Sequence, residues 1–404
     1  MTPETPSASP ERETHPSGPE DATREQRAVL FVSPMDLAGK SGGNIATKEV
    51  VAAVGRKPDL SLSLVCPRPE RDLPATVATH AENVWYLPTK PAGTVRWHAR
   101  SQVAMARILP RAYRTVDPDL VVARVGPSTV LTPLSTTLSR TPYVVLIRGM
   151  VGRNLRFGTV VDGIVRANAF LADEAYVAFQ AIIDRYGLNS LTRASVFSNA
   201  VDPQQFRPMP RTEARAAIDA GFDDDDFVVG FVGSLKRRHR VEVLLQSVAD
   251  LPEEVSVQVL VVGDGPQRAE LEALVEERAL SDAVTFTGFV PHEDLLPYIG
   301  SCDVTYGVVD DANPSNPIKC YEYLACERPV VTSLTDELAF VEREVFGVGI
   351  ETVDRESVRD AIRSLWERGD ETLAEMGRRG REYVVENHTW DRLADRLAHA
   401  AQSQ

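Results

Sequence analysis

From Arg27 onward the chain alternates short, uniformly apolar runs with longer stretches of helical spacing, and this alternation restricts the fold more than any other feature. The first half carries AVLFVS (28–33), SLSLVC (61–66), VWYL (84–87), LVVARV (120–125), YVVLI (143–147), AYVA (175–178) and ASVF (194–197). The second carries FVVGFVG (227–233), VQVLVVG (257–263), AVTFTG (283–288), VTYG (304–307) and PVV (329–331). Runs without polar alternation suit strands covered on both faces, as in parallel sheets. The segments between them have helical spacing, for example Gln267–Arg278 and Glu356–Glu367. Strand–helix alternation of this kind predicts a doubly wound α/β fold. It is interrupted by the proline-rich NAVDPQQFRPMPRTE starting at Asn199. Two Rossmann-like parallel-sheet domains are therefore expected, over 27–203 and 204–387. Residues 1–26 have five prolines, six acids and almost nothing apolar, and read as a disordered tail.

A length of 404 residues suits two cores, and 43% hydrophobic with 25% charged residues excludes collagen-like or wholly disordered architectures. The net charge of −14 argues against a nucleic-acid binder. That charge is uneven. Residues 91–170 hold eleven arginines against Asp117, Asp119 and Asp162, a net of +8, which leaves −22 for the remainder. Cys66, Cys302, Cys320 and Cys326 show no zinc spacing and read as buried thiols of a reducing compartment. With neither an apolar leader nor a spanning segment, a cytoplasmic location is expected. Histidines lack metal-ligand spacing, and the Asp-Pro-Asp at 117–119 precedes a strand, so no metal site is expected.

Ligands of open α/β sheets sit beyond the C-terminal ends of the strands, so the segments that follow strands carry the functional signal. After 28–33, Gly42 and Gly43 precede a helix expected from Asn44, where free N–H groups can meet an anion; a flexible loop reads equally well. After 227–232 comes Gly233-Ser234-Leu235-Lys236-Arg237-Arg238-His239-Arg240, either a solvated loop or a cradle for a diphosphate. Gly263 and Gly265 flank the next turn, where tight helix–strand packing explains them as well as a ligand does. After 304–307, Ser315 and Asn316 are cap candidates, Pro317 suits a first helical turn, and a helix is expected from Ile318 to about Cys326. Lys319 and Glu322 then share a face, as an ion pair or as a site for anion and hydroxyl groups. The DDDD run at 223–226 reads as a solvated turn.

Taken in order, FVGSLKRRHRVEVLLQS, VLVVGDGPQRAELEALV, VTFTGFVPHEDLLPYIGSCDV and SNPIKCYEYLACERPVV resemble the blocks of retaining glycosyltransferase family 4, which has the GT-B fold. SNAVDPQQFRP (198–208) resembles that family's interdomain signature, and HTWDRLADRL (388–397) its closing helix, which places 388–404 back against the first domain. The resemblance implies two Rossmann-like domains facing a cleft, with a nucleotide-sugar donor on the C-terminal domain and an acceptor on the N-terminal one. It implies transfer with retention, no metal and no cofactor beyond the sugar nucleotide. Donor contacts would come from Gly42, Gly43, Gly233, Ser234, Arg237, Gly263, Phe289, Val290, Pro317, Ile318, Lys319 and Glu322. Lys236, Arg148 and Glu322 would carry the catalytic roles, with Glu322 matching the second Glu of the family's E-x7-E motif. Arg124, Arg148 and Arg153 would meet a glycan, polysaccharide or lipid-linked acceptor. The sequence departs from the family at Pro314, where the first Glu of that motif would fall. It departs again at Ser234 and His239 in the basic loop, and at Arg148, where a His is common. These departures motivate a second reading, a non-catalytic GT-B subunit; a nucleotide-sugar epimerase is a third.

Within the basic stretch, Arg100, Arg107, Arg111 and Arg114 fall on one helical face, with Pro110 expected to kink or end the helix. Residues 91–170 could dock on an anionic membrane surface, making the protein peripheral on the inner face, or could be an ordinary solvated face.

Overall fold

The computed structural model describes residues 26–70, 72–89, 95–150, 158–191, 193–310 and 315–402. The expected tail up to residue 25, Arg153 and Pro314 lie outside the described residues. Among the described residues thirteen strands form two wholly parallel sheets. In the first, β1 (Arg27–Val32), β2 (Leu60–Pro67), β3 (Ala81–Leu87), β4 (Leu120–Arg124), β5 (Tyr143–Ile147), β6 (Glu174–Val177) and β7 (Ala194–Val196) lie in the order β3-β2-β1-β4-β5-β6-β7. In the second, β8 (Val228–Val232), β9 (Gln258–Val262), β10 (Val284–Gly288), β11 (Val304–Tyr306), β12 (Val330–Ser333) and β13 (Gly347–Ile350) lie in the order β10-β9-β8-β11-β12-β13. Each order reverses direction once, between β1 and β4 and between β8 and β11. Those crevices are where a doubly wound sheet offers a ligand site.

The strands are buried from both sides because the helices divide between the two faces. On the N-terminal sheet one face packs against the Gly42–Gly55 and Trp390–Gln402 helices, through Val50, Val54, Trp390 and Leu393. The other packs against the Val95–Val116 and Gly158–Leu171 helices, through Met105, Leu109, Val165 and Ala169. The last helix thus belongs to the first domain's core although it ends the chain, and Lys57–Asp395 and Arg56–Asp391 ion pairs fasten its rim. All four cysteines are buried and unbridged, and burial pushes the thiols of Cys66 and Cys302 up to about 12.

The structure refines three local expectations. Pro110 sits inside a continuous helix, Val95–Val116. It and Ala106, whose carbonyl it leaves without an amide partner, are both exposed, so water can satisfy that oxygen while Met105, Leu109 and Ala112 hold the opposite face. Ser315 and Asn316 do not cap the Ile318–Ala325 helix, whose N-cap position is Pro317. The exposed side chains of 223–225 lie outside a backbone with a structural task. Arg215, itself buried, donates to the carbonyls of Asp223, Asp224 and Asp226 and to the buried carboxylate of Asp303. Asp303 also accepts from Arg211 and from the amide of Val228, so one buried carboxylate fixes the starts of β8 and β11.

Candidate functional site

The loops that follow β1, β5, β8 and β11 converge on a cleft of about 370 Å³ between the two domains. The N-terminal wall includes Lys40, Gly42, Gly43, Arg148, Met150 and Asn199; the C-terminal wall includes Gly233, Ser234, Arg238, His239, His292, Pro317, Ile318, Lys319 and Glu322. Ser41 begins the N-terminal wall by accepting from the Asn44 amide at 3.3 Å, so the helix starts at Gly42, earlier than its apolar pattern shows.

Lys319 is the chemically exceptional group. Its residue is 7% exposed, and among the described residues its Nζ has no hydrogen-bond partner. The ammonium lies 3.8 Å from the Phe231 ring centroid, and a Cβ on Gly233 would come within 2.8 Å of it. Burial, with the nearby Arg238 acting in the same direction against Cys320 and Glu322, pulls its pKa down to about 7. A buried cation without a counter-ion is costly. Set in the first turn of the Ile318–Ala325 helix, where backbone N–H groups are unpaired, it makes an anion site. His239 does not add charge here. Burial, Lys319, Arg238 and Lys236 hold its pKa near 2, so the ring is neutral and accepts from Arg238 Nε at 3.4 Å.

Lys236 and Arg237 do not reach this cleft. Both are exposed, and Arg237 pairs with Glu270 on the outer surface at 3.0 Å. A tight 3-10 turn over Arg237–His239 sends successive side chains in different directions. Arg238, itself exposed, and the buried His239 therefore line the cleft where Lys236 and Arg237 were expected. Arg124 is likewise not on the cleft wall. As the last residue of β4 it is 6% exposed, and burial with the neighbouring Arg148 depresses its pKa to about 9. Arg148 lines the cleft, but its guanidinium is committed to the carbonyls of Phe197 (2.5 Å) and Ser198 (3.1 Å) and to the Asn199 side chain. It orders the interdomain segment: Asn199 in turn donates to the carbonyl of Asn316, and Asn316 Nδ2 reaches Ala178 O at 3.3 Å.

Gly263 stands behind the wall. Its φ is +138° and a Cβ there would lie 1.9 Å from the Gly233 carbonyl oxygen. Phe289 is 47% exposed, with Lys40 Nζ of the other domain 3.5 Å from its ring centroid; Val290 packs into the C-terminal core.

Sequence reading missed His292. Its Nε2 lies 2.7 Å from Glu322 Oε1 and its Nδ1 3.8 Å from Glu49 Oε1, so one imidazole joins carboxylates of both domains. Gln205 donates to its carbonyl at 3.0 Å and Phe206 packs edge-on. No motif signals this, because the partners are remote in sequence. Burial pulls the His292 pKa down and Lys48 adds to that, but Glu322 and Glu49 outweigh both and leave it raised. Below the ordinary value near 6.5 the cluster's stabilisation is complete; it fades as pH rises through the raised folded value. His292→Gln is expected to lower unfolding free energy by about 3 kcal/mol at pH 6, with the deficit shrinking above neutrality. Denaturant titrations across pH measure this; a deficit independent of pH would show packing alone.

Among the described residues no group of three or more His, Cys, Asp or Glu side chains is arranged to hold a metal, and no helix is long and apolar enough to cross a membrane.

Residues 214–383 match the model of the family described as glycosyl transferases group 1. The 2-deoxystreptamine glucosyltransferase of Streptomyces kanamyceticus is 29% identical over 217 residues, 53% of this chain and 53% of that protein. The chain spans about half the length of the curated relatives it matches. Among solved structures, sucrose-phosphate synthase (tll1590) from Thermosynechococcus elongatus superposes with a TM-score of 0.74 at 20% identity, over 94% of this chain and 99% of that one. Anabaena Alr3699/HepE in complex with UDP gives 0.73 at 16% identity, over 93% and 100%. Two facing parallel-sheet domains, a last helix returned to the first of them and a group 1 match across the second lead to one assignment: the chain has the GT-B fold, and its residues 214–383 are a glycosyl transferases group 1 domain.

Proposed function

We propose that the protein is a retaining glycosyltransferase that takes a sugar from a nucleotide-sugar donor and passes it, without a metal, to a glycan, polysaccharide or lipid-linked acceptor. The observation that carries this reading is the unpartnered, buried Lys319 amine, one helical turn from Glu322 in the cleft. Departure of a nucleoside diphosphate concentrates negative charge on its phosphate oxygens, and preorganised cations lower that barrier. Lys319, Arg238 and the free amides of the 318–325 helix are the groups available for that charge. Glu322 accepts hydrogen bonds from the ribose hydroxyls, replacing or sharing its bond to His292. Among the described lining residues Glu322 is the sole carboxylate, and a double displacement needs both a carboxylate nucleophile and an acid. A single step therefore fits better: the acceptor oxygen bonds to the anomeric carbon on the face from which the diphosphate leaves. The carbon–oxygen bond to phosphate breaks, and the acceptor's proton passes to a departing phosphate oxygen.

The relatives named as glycosyltransferases support the reaction class, and the UDP-bound Anabaena neighbour makes UDP-sugars the first donors to try. The test incubates the protein with UDP-, GDP- and ADP-sugars, with and without chelator, and follows free nucleotide and the anomer formed. Nucleotide release unaffected by chelator is expected, with binding weakened about tenfold or more in Glu322→Ala. No release from any donor, together with nucleotide binding indifferent to Glu322→Ala, would sink the proposal. Two observations favour a second reading, a non-catalytic subunit: Arg237 is turned outward, and Arg148 is committed to the 197–199 segment. That reading requires tight nucleotide binding with neither release nor transfer.

A further inference from the structure

The N-terminal domain gathers exposed apolar side chains and unpaired cations on one face. The Val95–Val116, Leu131–Ser139 and Gly158–Leu171 helices lie side by side on the same side of the sheet. Nine large hydrophobic side chains are exposed among the described residues, and seven of them fall between residues 103 and 171. Leu138 is 77% exposed and Leu134 55%; Val160, Phe170 and Leu171 are each half exposed or more. Isolated apolar residues are normal on a surface, but such concentration is not.

The charge of the same face is predominantly positive. Arg96, Arg100, Arg107, Arg111 and Arg114 are all exposed along a single stripe of the Val95–Val116 helix. From residue 96 to residue 114 the stripe runs about 27 Å at the α-helical rise. Among the described residues none of the five has a carboxylate partner; of the nearby acids Asp119 pairs with Arg27 and Asp162 with Arg185, which leaves the exposed Asp117 just past the end of the helix. A solvated arginine face accounts for the cations and leaves the leucines unexplained; a contact between two copies would set like charges against each other. An anionic bilayer satisfies both features, offering negative headgroups to the guanidinium groups and an apolar layer beneath for the aliphatic tips.

We propose that this face, formed by the 95–116, 131–139 and 158–171 helices, docks the protein on an anionic lipid bilayer. Met150 on the cleft wall is eight residues before Gly158, a chain span of at most about 28 Å. Docking thus brings the cleft to the lipid surface.

The test is co-sedimentation of the full chain with vesicles of phosphatidylcholine alone and of phosphatidylcholine mixed with phosphatidylglycerol, at low and high salt. The protein is expected to pellet with the mixed vesicles only, and high salt should weaken this at least about tenfold. Arg100→Glu combined with Arg107→Glu and Arg111→Glu should abolish pelleting. Leu134→Gln with Leu138→Gln should weaken it although every charge remains. Nucleotide binding, read on the same variants, should be unchanged and so reports an intact fold independently of this face. Equal pelleting with both vesicle types overturns the proposal, as does pelleting of the charge-reversed variant. A concentration-dependent dimer that the leucine variant loses, without vesicle binding, overturns it as well.

Discussion

Lys319→Met is expected to lower kcat/KM for sugar transfer by at least about 10², while the unliganded protein stays as stable as before or becomes more stable. The two effects have one cause. Among the described residues the Lys319 amine is buried without a hydrogen-bond partner, and its pKa is held down to about 7 against an ordinary 10.5. The folded state therefore binds this proton more weakly than the unfolded chain does. Its contribution to stability is highest above the ordinary value, falls with pH, and becomes a full penalty below about 7, on the order of a few kcal/mol. Methionine removes the penalty and keeps the shape of the stem, so the gain in unfolding free energy should be largest at and below neutral pH. A departing diphosphate reverses the balance, since it supplies a counter-ion to the buried amine. Nucleoside diphosphate binding above pH 7 should then take up a proton. Calorimetry in buffers of different ionisation enthalpy measures this uptake. Affinity should fall as pH rises past about 7, by at most about tenfold per unit. In Lys319→Met both the uptake and this pH dependence should vanish. A variant that loses stability along with transfer would make Lys319 a packing residue and remove it from the phosphate site.

Much of the fold could be read from the chain because helices cover both faces of each sheet. A strand without alternation stands out as an apolar run, and twelve of the thirteen strands coincide with such runs. β13 is the exception. Gly347–Ile350 has glycine at two of its four positions, and Gly347 lies so near β12 that a Cβ would fall 1.9 Å from the Val330 carbonyl. Close approach erased the hydrophobic signal that marks other strands. The site was legible where a residue's place depends on its own element: Gly42 and Gly43 after β1, Gly233 after β8, and Lys319 and Glu322 on one short helix. It was not legible where rotation decided the outcome. Four consecutive residues, Lys236 to His239, are basic or titratable, and only the turn geometry separates the cleft-lining pair from the outward one. Nor could local spacing show that His292 would meet Glu49 of the other domain.

Gly263→Ala is expected to be the most damaging of the small substitutions, with a loss of about 3 kcal/mol or more in unfolding free energy and of most nucleotide affinity. Two independent penalties meet at this position. The backbone stands at φ +138°, which an L side chain rarely adopts, and the added carbon would collide with a carbonyl oxygen that cannot swing aside as a flexible side chain does. That oxygen belongs to Gly233, whose amide is fixed by Val262 O at 2.9 Å. The following turn is equally close: Leu235 N donates to Asp264 O at 3.0 Å, and Gln267 N to Leu235 O at 3.1 Å. Relief must therefore move the 233–235 turn, and with it the contact between Gly233 and the Lys319 amine. Gly42→Ala is the control. Gly42 also lines the cleft, but a Cβ there meets nothing within 4 Å, and the residue opens a helix. Alanine at 42 should leave stability unchanged or raise it by up to about 1 kcal/mol. Thermal unfolding of the two variants compares them directly. Near-equal midpoints would mean that the 263 turn adapts, and that the close packing of these two loops does not fix the wall of the cleft.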